Sequence, residues 1–218
     1  KTPDRPVEAF GLRFKNPVGL AAGYDKDGLA WRGLAALGFG HIEIGTVTPR
    51  FQPGNPKPRI FRLPQEQAVI NRMGFPGKGA DFVVNQLETR PPKRVIIGIN
   101  LGKNYDTPLK KAHEDYRALY HAFAGRADYA VINISSPNTI GLRSLQAKNA
   151  LHDLLSEINL EKVAVSEQAG HVPPILVKLS PDLTDQELDD ALEVITDQRM
   201  DGIIATNTTL DRPGLPGS

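Results

Sequence analysis

The 218 residues are 40% apolar and 23% charged, which is enough apolar chain for one substantial core. With 26 Lys plus Arg against 25 Asp plus Glu and no block of like charge, the balance argues against a nucleic-acid partner. The complete lack of cysteine excludes disulfides, thiolate metal ligands and a cysteine nucleophile together, and fits a reducing compartment. No apolar run reaches the roughly 18 residues of a membrane span, and residues 1–10 lack the charged-then-apolar order of a signal peptide.

Taken in chain order, short β-branched or apolar runs occur at 18–22, 41–46, 95–100, 129–134, 175–179 and 202–206. Each is followed by a stretch of helical periodicity, which predicts six βα units. After the first, Leu37-Gly38 reads as a glycine helix terminator. The basic segment 49–79, punctuated by Pro53, Pro56, Pro58, Pro64 and Pro76, reads as an ordered loop or hairpin over one face. Thr107-Pro108 reads as the N-cap and first residue of a helix running to Ala124, because proline's missing N–H costs nothing there. Thr184 and Glu187 form a capping box, and Leu188, Ala191, Leu192 and Ile195 follow as a buried stripe. Residues 211–218, rich in proline and glycine, read as a loop.

Alternating strands and helices imply a parallel sheet, either open and doubly wound or closed as a TIM-type (βα)8 barrel. The turn after the first strand reads Ala21-Ala22-Gly23-Tyr24-Asp25-Lys26 rather than Gly-x-Gly-x-x-Gly, and no phosphate-binding Gly-x-x-x-x-Gly-Lys loop occurs. A barrel is therefore expected, α/β in class, with about six of eight units in a single domain spanning 1–218 and incomplete at its C-terminus.

Polar residues close or follow each strand: Lys26, Thr46, Asn100, Asn133, Lys178, then Thr206 and Asn207. In a βα barrel these positions converge on one mouth, where ligands bind; for any single Asn or Thr, capping of a turn is an equal reading. Lys178 stands in an otherwise apolar strand, so it either snorkels outward or meets an anion. The cluster Asn133-Ile134-Ser135-Ser136-Pro137-Asn138-Thr139 can present donors and acceptors to a planar heterocycle, with one serine placed to move a proton. Asn71-Arg72-Met73-Gly74-Phe75 offers an amide, an aromatic ring and a flexible glycine, as a lid over a flat ligand requires. Asn133-Ile134-Ser135 and Asn207-Thr208-Thr209 match the glycosylation tripeptide but sit at strand ends without a signal peptide. The five histidines show no metal-ligand spacing, so no metal is expected, and His113 and His121 read as helix surface. The pattern alone also fits a barrel that binds a phosphorylated small molecule without redox chemistry, or an inactive interaction module.

Further segments carry a resemblance: Asn16-Pro17, Gly19-Leu20-Ala21-Ala22-Gly23 with Asp25-Lys26, Glu43-Ile44-Gly45-Thr46-Val47-Thr48-Pro49, and Asn71 to Phe75. Asn100 to Asn104, Asn133 to Thr139 with Gly141-Leu142-Arg143, Lys178 with Asp182-Leu183, and Thr206-Asn207-Thr208-Thr209 continue it. In this order, across nearly the whole chain, the sequence resembles the class 2, quinone-dependent dihydroorotate dehydrogenases of bacteria.

The resemblance implies FMN lying across the barrel mouth with dihydroorotate or orotate stacked on it. Ala22, Gly23, Tyr24, Asp25, Lys26, Thr46, Asn100, Asn133, Lys178 and Thr206 would contact the flavin. Lys26, Asn71, Arg72, Met73, Gly74, Phe75, Asn133, Asn138, Asn207 and Thr208 would hold the substrate. Ser136 would be the catalytic base for oxidation of (S)-dihydroorotate to orotate in UMP biosynthesis, with a quinone as final electron acceptor. Serine is a poor base alone, so it needs a water or a neighbour such as Thr139 to pass the proton onward. Soluble class 1 relatives use a cysteine there, which this chain lacks. Residue types agree with these roles: Ala22 and Gly23 allow close approach, Lys26 suits a carboxylate, and Lys178 favours an anionic reduced flavin. The family's membrane-docking helical pair precedes the barrel. It implies peripheral association with the cytoplasmic face of the inner membrane in bacteria, or with the mitochondrial inner membrane in eukaryotes. Here the chain begins almost at the first barrel strand, and the glycine-rich phosphate-binding segments of the last two units would lie beyond Ser218. A fragment ending there is expected to bind flavin poorly.

Overall fold

The computed structural model describes residues 5–88, 95–169, 172–212, 214 and 215. It opens on an antiparallel hairpin, β1 (Val7–Ala9) and β2 (Leu12–Phe14). The hairpin turns through Phe10 and Gly11, both at positive φ. Neither strand was expected from the sequence: Val7–Ala9 and Leu12–Phe14 each carry a charged residue at the centre of three and form no apolar run.

Six strands then build one parallel sheet: β3 (Gly19–Leu20), β4 (His41–Val47), β7 (Ile96–Leu101), β8 (Tyr129–Asn133), β9 (Ile175–Lys178) and β10 (Gly202–Ile204). Their spatial order is β10-β9-β8-β7-β4-β3, every neighbouring pair parallel. A doubly wound sheet reverses its order at a switch point; here each stave lies beside the next in sequence, as in a barrel. The expected strand at 18–22 shrinks to two residues, because Gly23 already bends to give its N–H to the Gly45 carbonyl (2.8 Å).

Period-2 alternation divides the sheet into two faces. Ile42, Ile44, Ile97, Ile99, Ile132 and Val177 are fully buried against the helices, with Tyr116, Leu119 and Leu155 opposite them. Each such aliphatic side chain contributes roughly 1.5–3 kcal/mol by leaving water. The intervening positions face inward, where Tyr129, Val131 and Leu176 form a separate cluster against Leu12 of the N-terminal hairpin. Gly98 makes that layer possible: a Cβ there would stand 2.0 Å from the Tyr129 ring.

The outer layer comprises α1 (Trp31–Ala36), α2 (Ala80–Leu87), α3 (Ala112–Phe123), α4 (Lys148–Ala169) and α5 (Asp185–Asp197). Gly38 ends the turn after α1 at φ 105° and bonds back to the Ala35 carbonyl (3.2 Å). Thr184 and Glu187 form the expected reciprocal box at the start of α5. The buried stripe of α5 is Ala191, Val194 and Ile195, whereas Leu188 is exposed in the first turn and Leu192 is half-buried. The expected helix start at Thr107 is also corrected. Pro108 is extended (ψ 147°), a 3-10 turn spans Leu109–Lys111, and α3 begins only at Ala112. The cause is Lys103, whose buried ammonium draws the carbonyls of Asn104 (3.0 Å) and Thr107 (2.8 Å) around itself and holds them out of a helix.

The segment 49–79 contains a second antiparallel hairpin, β5 (Ile60–Leu63) and β6 (Ala68–Asn71), which carries Asn71 back toward the mouth of the sheet. Of the terminal stretch 211–218, residues 213 and 216–218 lie outside the described residues, and Asp211 and Arg212 have no regular structure.

Candidate active site

At the C-terminal ends of the parallel strands a cavity of about 140 Å³ opens. Its wall gathers Ala22, Gly23 and Lys26 after β3, Thr46 from β4, and Asn71, Met73, Gly74 and Phe75 after β6. Asn133, Ser136 and Asn138 come from β8 and its loop, Lys178 from β9, and Asn207 and Thr208 from beyond β10. Five residues expected at the site stand elsewhere. Tyr24 is 73% exposed, and buried Asp25 spends its carboxylate capping the backbone N–H groups of Leu29 and Ala30, both at 2.9 Å. Arg72 turns away to the Pro58 carbonyl (2.9 Å) and lines a neighbouring cleft of about 810 Å³. Asn100 lies fully buried below the cavity, and the exposed Thr206 hydroxyl bonds the Asn207 carbonyl (3.1 Å).

Local folding explains why these side chains meet. A register irregularity between Gly45 and Val47 breaks the alternation of β4, so Thr46 follows Glu43 and Gly45 to the inner side while Val47 packs outward. Thr46 Oγ1 donates to Asn100 Oδ1 (2.6 Å) and accepts from Asn133 Nδ2 (3.0 Å). Asn133 Nδ2 also donates to Asn100 Oδ1 (2.8 Å), while its own Oδ1 accepts from Ser135 N (3.3 Å) and Asn207 Nδ2 (3.3 Å). Beneath this chain of amides lies Glu43, 4% exposed, whose Oε1 accepts from Asn100 Nδ2 (2.7 Å) and whose Oε2 accepts from the Tyr129 hydroxyl (3.3 Å). Burial pushes the Glu43 carboxyl above its ordinary 4.5, and the nearby charge of Lys178 opposes that push. The ammonium of buried Lys178 donates no hydrogen bond among the described residues, and it lines the cavity and acts on Glu43.

At the rim, Lys26 donates to the Gly23 carbonyl, and burial followed by the charge of Arg59 lowers its ammonium below the usual 10.5. Ser136, 5% exposed, accepts from the Asn138 N–H (3.3 Å). Asn138 Nδ2 donates to Asn71 Oδ1 (3.2 Å), tying the serine loop to the second hairpin. Buried Gln52 holds the 71–75 segment over the cavity by donating to the carbonyls of Gly74 and Phe75, both at 3.0 Å. Arg143 joins three loops by donating to Ser135 O (3.0 Å), Asp182 Oδ2 (2.7 Å) and Thr208 O (3.1 Å).

Sequence reasoning gave no role to Glu43, Tyr129, Gln52, Arg143 or Asp182. A signal existed for Glu43: a carboxylate at an inward position of His41-Ile42-Glu43-Ile44, where apolar neighbours leave it no solvent. Among the described residues no group of His, Cys, Asp and Glu could hold a metal, and no helix is long and apolar enough to cross a membrane.

Comparison with known proteins places this arrangement. The family model described as dihydroorotate dehydrogenase matches residues 6–216. A dihydroorotate dehydrogenase (quinone) of Cellvibrio japonicus is 50% identical over 217 residues, covering 100% of this chain and 63% of that protein. One from Xanthomonas oryzae is 52% identical over 208 residues, covering 95% and 59%. The crystal structure of DHODH from Eimeria tenella in complex with ferulenol superposes with a TM-score of 0.90 at 42% identity, covering 97% of this chain and 61% of that one. The ligand-free enzyme of the same organism gives 0.89, covering 97% and 64%. The chain thus spans about three-fifths of the length of these relatives. The match spans every element that lines the cavity, and this chain belongs to the dihydroorotate dehydrogenase family.

Proposed function

We propose that these residues form the larger part of a quinone-dependent dihydroorotate dehydrogenase that binds FMN and oxidises (S)-dihydroorotate to orotate in pyrimidine biosynthesis. The observation that carries the reading is one cavity walled by two lysines, a serine and several amides drawn from strand ends and loops far apart in sequence. Those groups match a planar, anionic pyrimidine lying on a flat redox ring.

The cavity fits the flavin chemically. Lys178 faces it with an uncommitted ammonium, suited to an aromatic edge that gains negative charge, and Ala22 and Gly23 allow a ring edge close to the backbone. When bound, FMN supplies the two-electron acceptor that no side chain of this composition offers. The chain's own residues do the rest. Lys26 pairs with the substrate carboxylate; Asn71, Asn133, Asn138 and Asn207 hold its ring amide edges. Ser136 Oγ takes the proton from the carbon beside the ring carbonyl as its own hydroxyl proton passes to a water or to Thr139, while the neighbouring carbon gives up its hydrogen with two electrons, leaving the double bond of orotate. Gly74 and Phe75, pinned by Gln52, and Met73, whose carbonyl accepts from the Asn55 N–H, cover the ring and exclude water. A quinone completes the cycle by removing the electrons, in an enzyme bound peripherally to the cytoplasmic face of a bacterial inner membrane or to the mitochondrial inner membrane.

The test is the visible spectrum of the full-length protein. A yellow preparation that bleaches under anaerobic dihydroorotate is expected; a colourless or unbleached one refutes the proposal.

A further inference from the structure

Glu43 has no part in the reaction just described, yet it occupies the centre of the barrel floor. A buried carboxylate is costly unless its surroundings use it. Two features of its placement show what it does. First, both carboxyl oxygens of Glu43 accept, Oε2 from the Tyr129 hydroxyl and Oε1 from Asn100, which turns its NH2 downward (2.7 Å). That choice propagates. With its NH2 committed below, Asn100 offers its carbonyl upward and takes both Thr46 Oγ1–H (2.6 Å) and Asn133 Nδ2 (2.8 Å). Asn133 in turn points its carbonyl at Ser135 and Asn207. Every amide in the relay therefore has its direction set from the floor. Thr46, having given its proton to Asn100, is left with acceptor capacity toward the cavity it lines. Second, the charge of Lys178 acts on Glu43 across the inner face, while Tyr129 adds a second donor to Glu43 (3.3 Å). Gly98 leaves the room through which the Tyr129 ring reaches it.

We propose that Glu43 is a positioning residue that fixes the hydrogen-bond polarity of the Asn100–Asn133 relay and offsets part of the charge of Lys178. It thereby sets how strongly the cavity floor favours a reduced, anionic ring. This rests on the flavin reading above. Removing the carboxylate leaves Lys178 less compensated, and a less compensated cation stabilises the reduced state more.

The experiment is a potentiometric titration of the bound flavin against a reference dye in the full-length protein, with the flavin dissociation constant measured alongside. Glu43→Gln keeps the shape and removes the charge. It should move the oxidised-to-reduced equilibrium at least tenfold toward reduction, about +30 mV for a two-electron couple. Tyr129→Phe keeps the ring and removes a donor that favours the ionised carboxylate, so Glu43 takes up its proton at a higher pH and the potential should move toward reduction, relative to wild type, as the pH is lowered. Should Glu43→Gln not fold, Tyr129→Phe decides alone. An unchanged or more negative potential in flavin-loaded variant protein overturns the inference and leaves the enzymatic reading standing. A wild-type protein that binds no flavin overturns both.

Discussion

Replacing Asn100 by leucine tests whether the buried relay organises the barrel floor. Leucine shares the skeleton branched at Cγ but neither donates nor accepts. Glu43 Oε1 would lose its 2.7 Å donor, the Thr46 hydroxyl its 2.6 Å acceptor, and Asn133 one of its two acceptors. Asn133 keeps its bond to Thr46, so it loses least. At about 1–3 kcal/mol for each buried group left unpaired, the cost comes to roughly 3–5 kcal/mol. That is a large share of the roughly 5–15 kcal/mol that holds a typical domain together. Asn100→Asp is the informative partner. It keeps the acceptor for Thr46 and Asn133 but sets a second carboxyl against Glu43, whose folded-state pKa is already raised above 4.5 by burial. A raised acid stabilises the fold while protonated, so this contribution is fully present below the unfolded value and is lost as pH rises through the raised one. Urea unfolding of the full-length protein, followed by circular dichroism at about pH 5 and about pH 8, measures both. Asn100→Asp should be markedly weaker at the higher pH. A leucine variant within about 1 kcal/mol of wild type, or an aspartate variant equally stable at both pH values, refutes the reasoning.

Other variants separate chemistry from scaffolding. Ser136→Ala should slow flavin reduction on the order of a hundredfold or more in stopped-flow traces while orotate affinity holds; equal loss of both removes it as the base. Arg143→Lys keeps the charge but loses the planar fork that reaches Ser135, Asp182 and Thr208 together. The KM for dihydroorotate should rise about tenfold, near 1.4 kcal/mol, and an unchanged KM shows that the three loops hold without it. Thr184→Ala removes one half of the box at the start of α5 and should lower stability by about 1 kcal/mol without altering flavin reduction, read as a shifted urea midpoint at constant slope.

What could be read from the residues alone is whatever depends on neighbours in sequence. The six parallel strands follow from short apolar runs, and the order of the staves from their regular alternation with helices. The box at Thr184 and Glu187 needs only three residues of separation, and it forms as read. The convergence of Lys26, Ser136 and Lys178 on one cavity follows from the same local facts, because strand ends in a barrel share a mouth. Local reading also fails where burial of a nearby side chain changes what it does, as Lys103 shows by binding the Thr107 carbonyl four residues on.

Only the tertiary structure decided which polar groups answer each other. Glu43 meets Asn100 across 57 positions and Tyr129 across 86, and Asn133 meets Asn207 across 74. No periodicity encodes such pairs, since each partner looks like an ordinary strand or turn residue until the sheet curls and brings both inside. The physical reason is desolvation. A carboxylate or amide costs little in a chain surrounded by water and much inside the folded sheet, so its role appears only once the fold has removed the water and left one partner within reach.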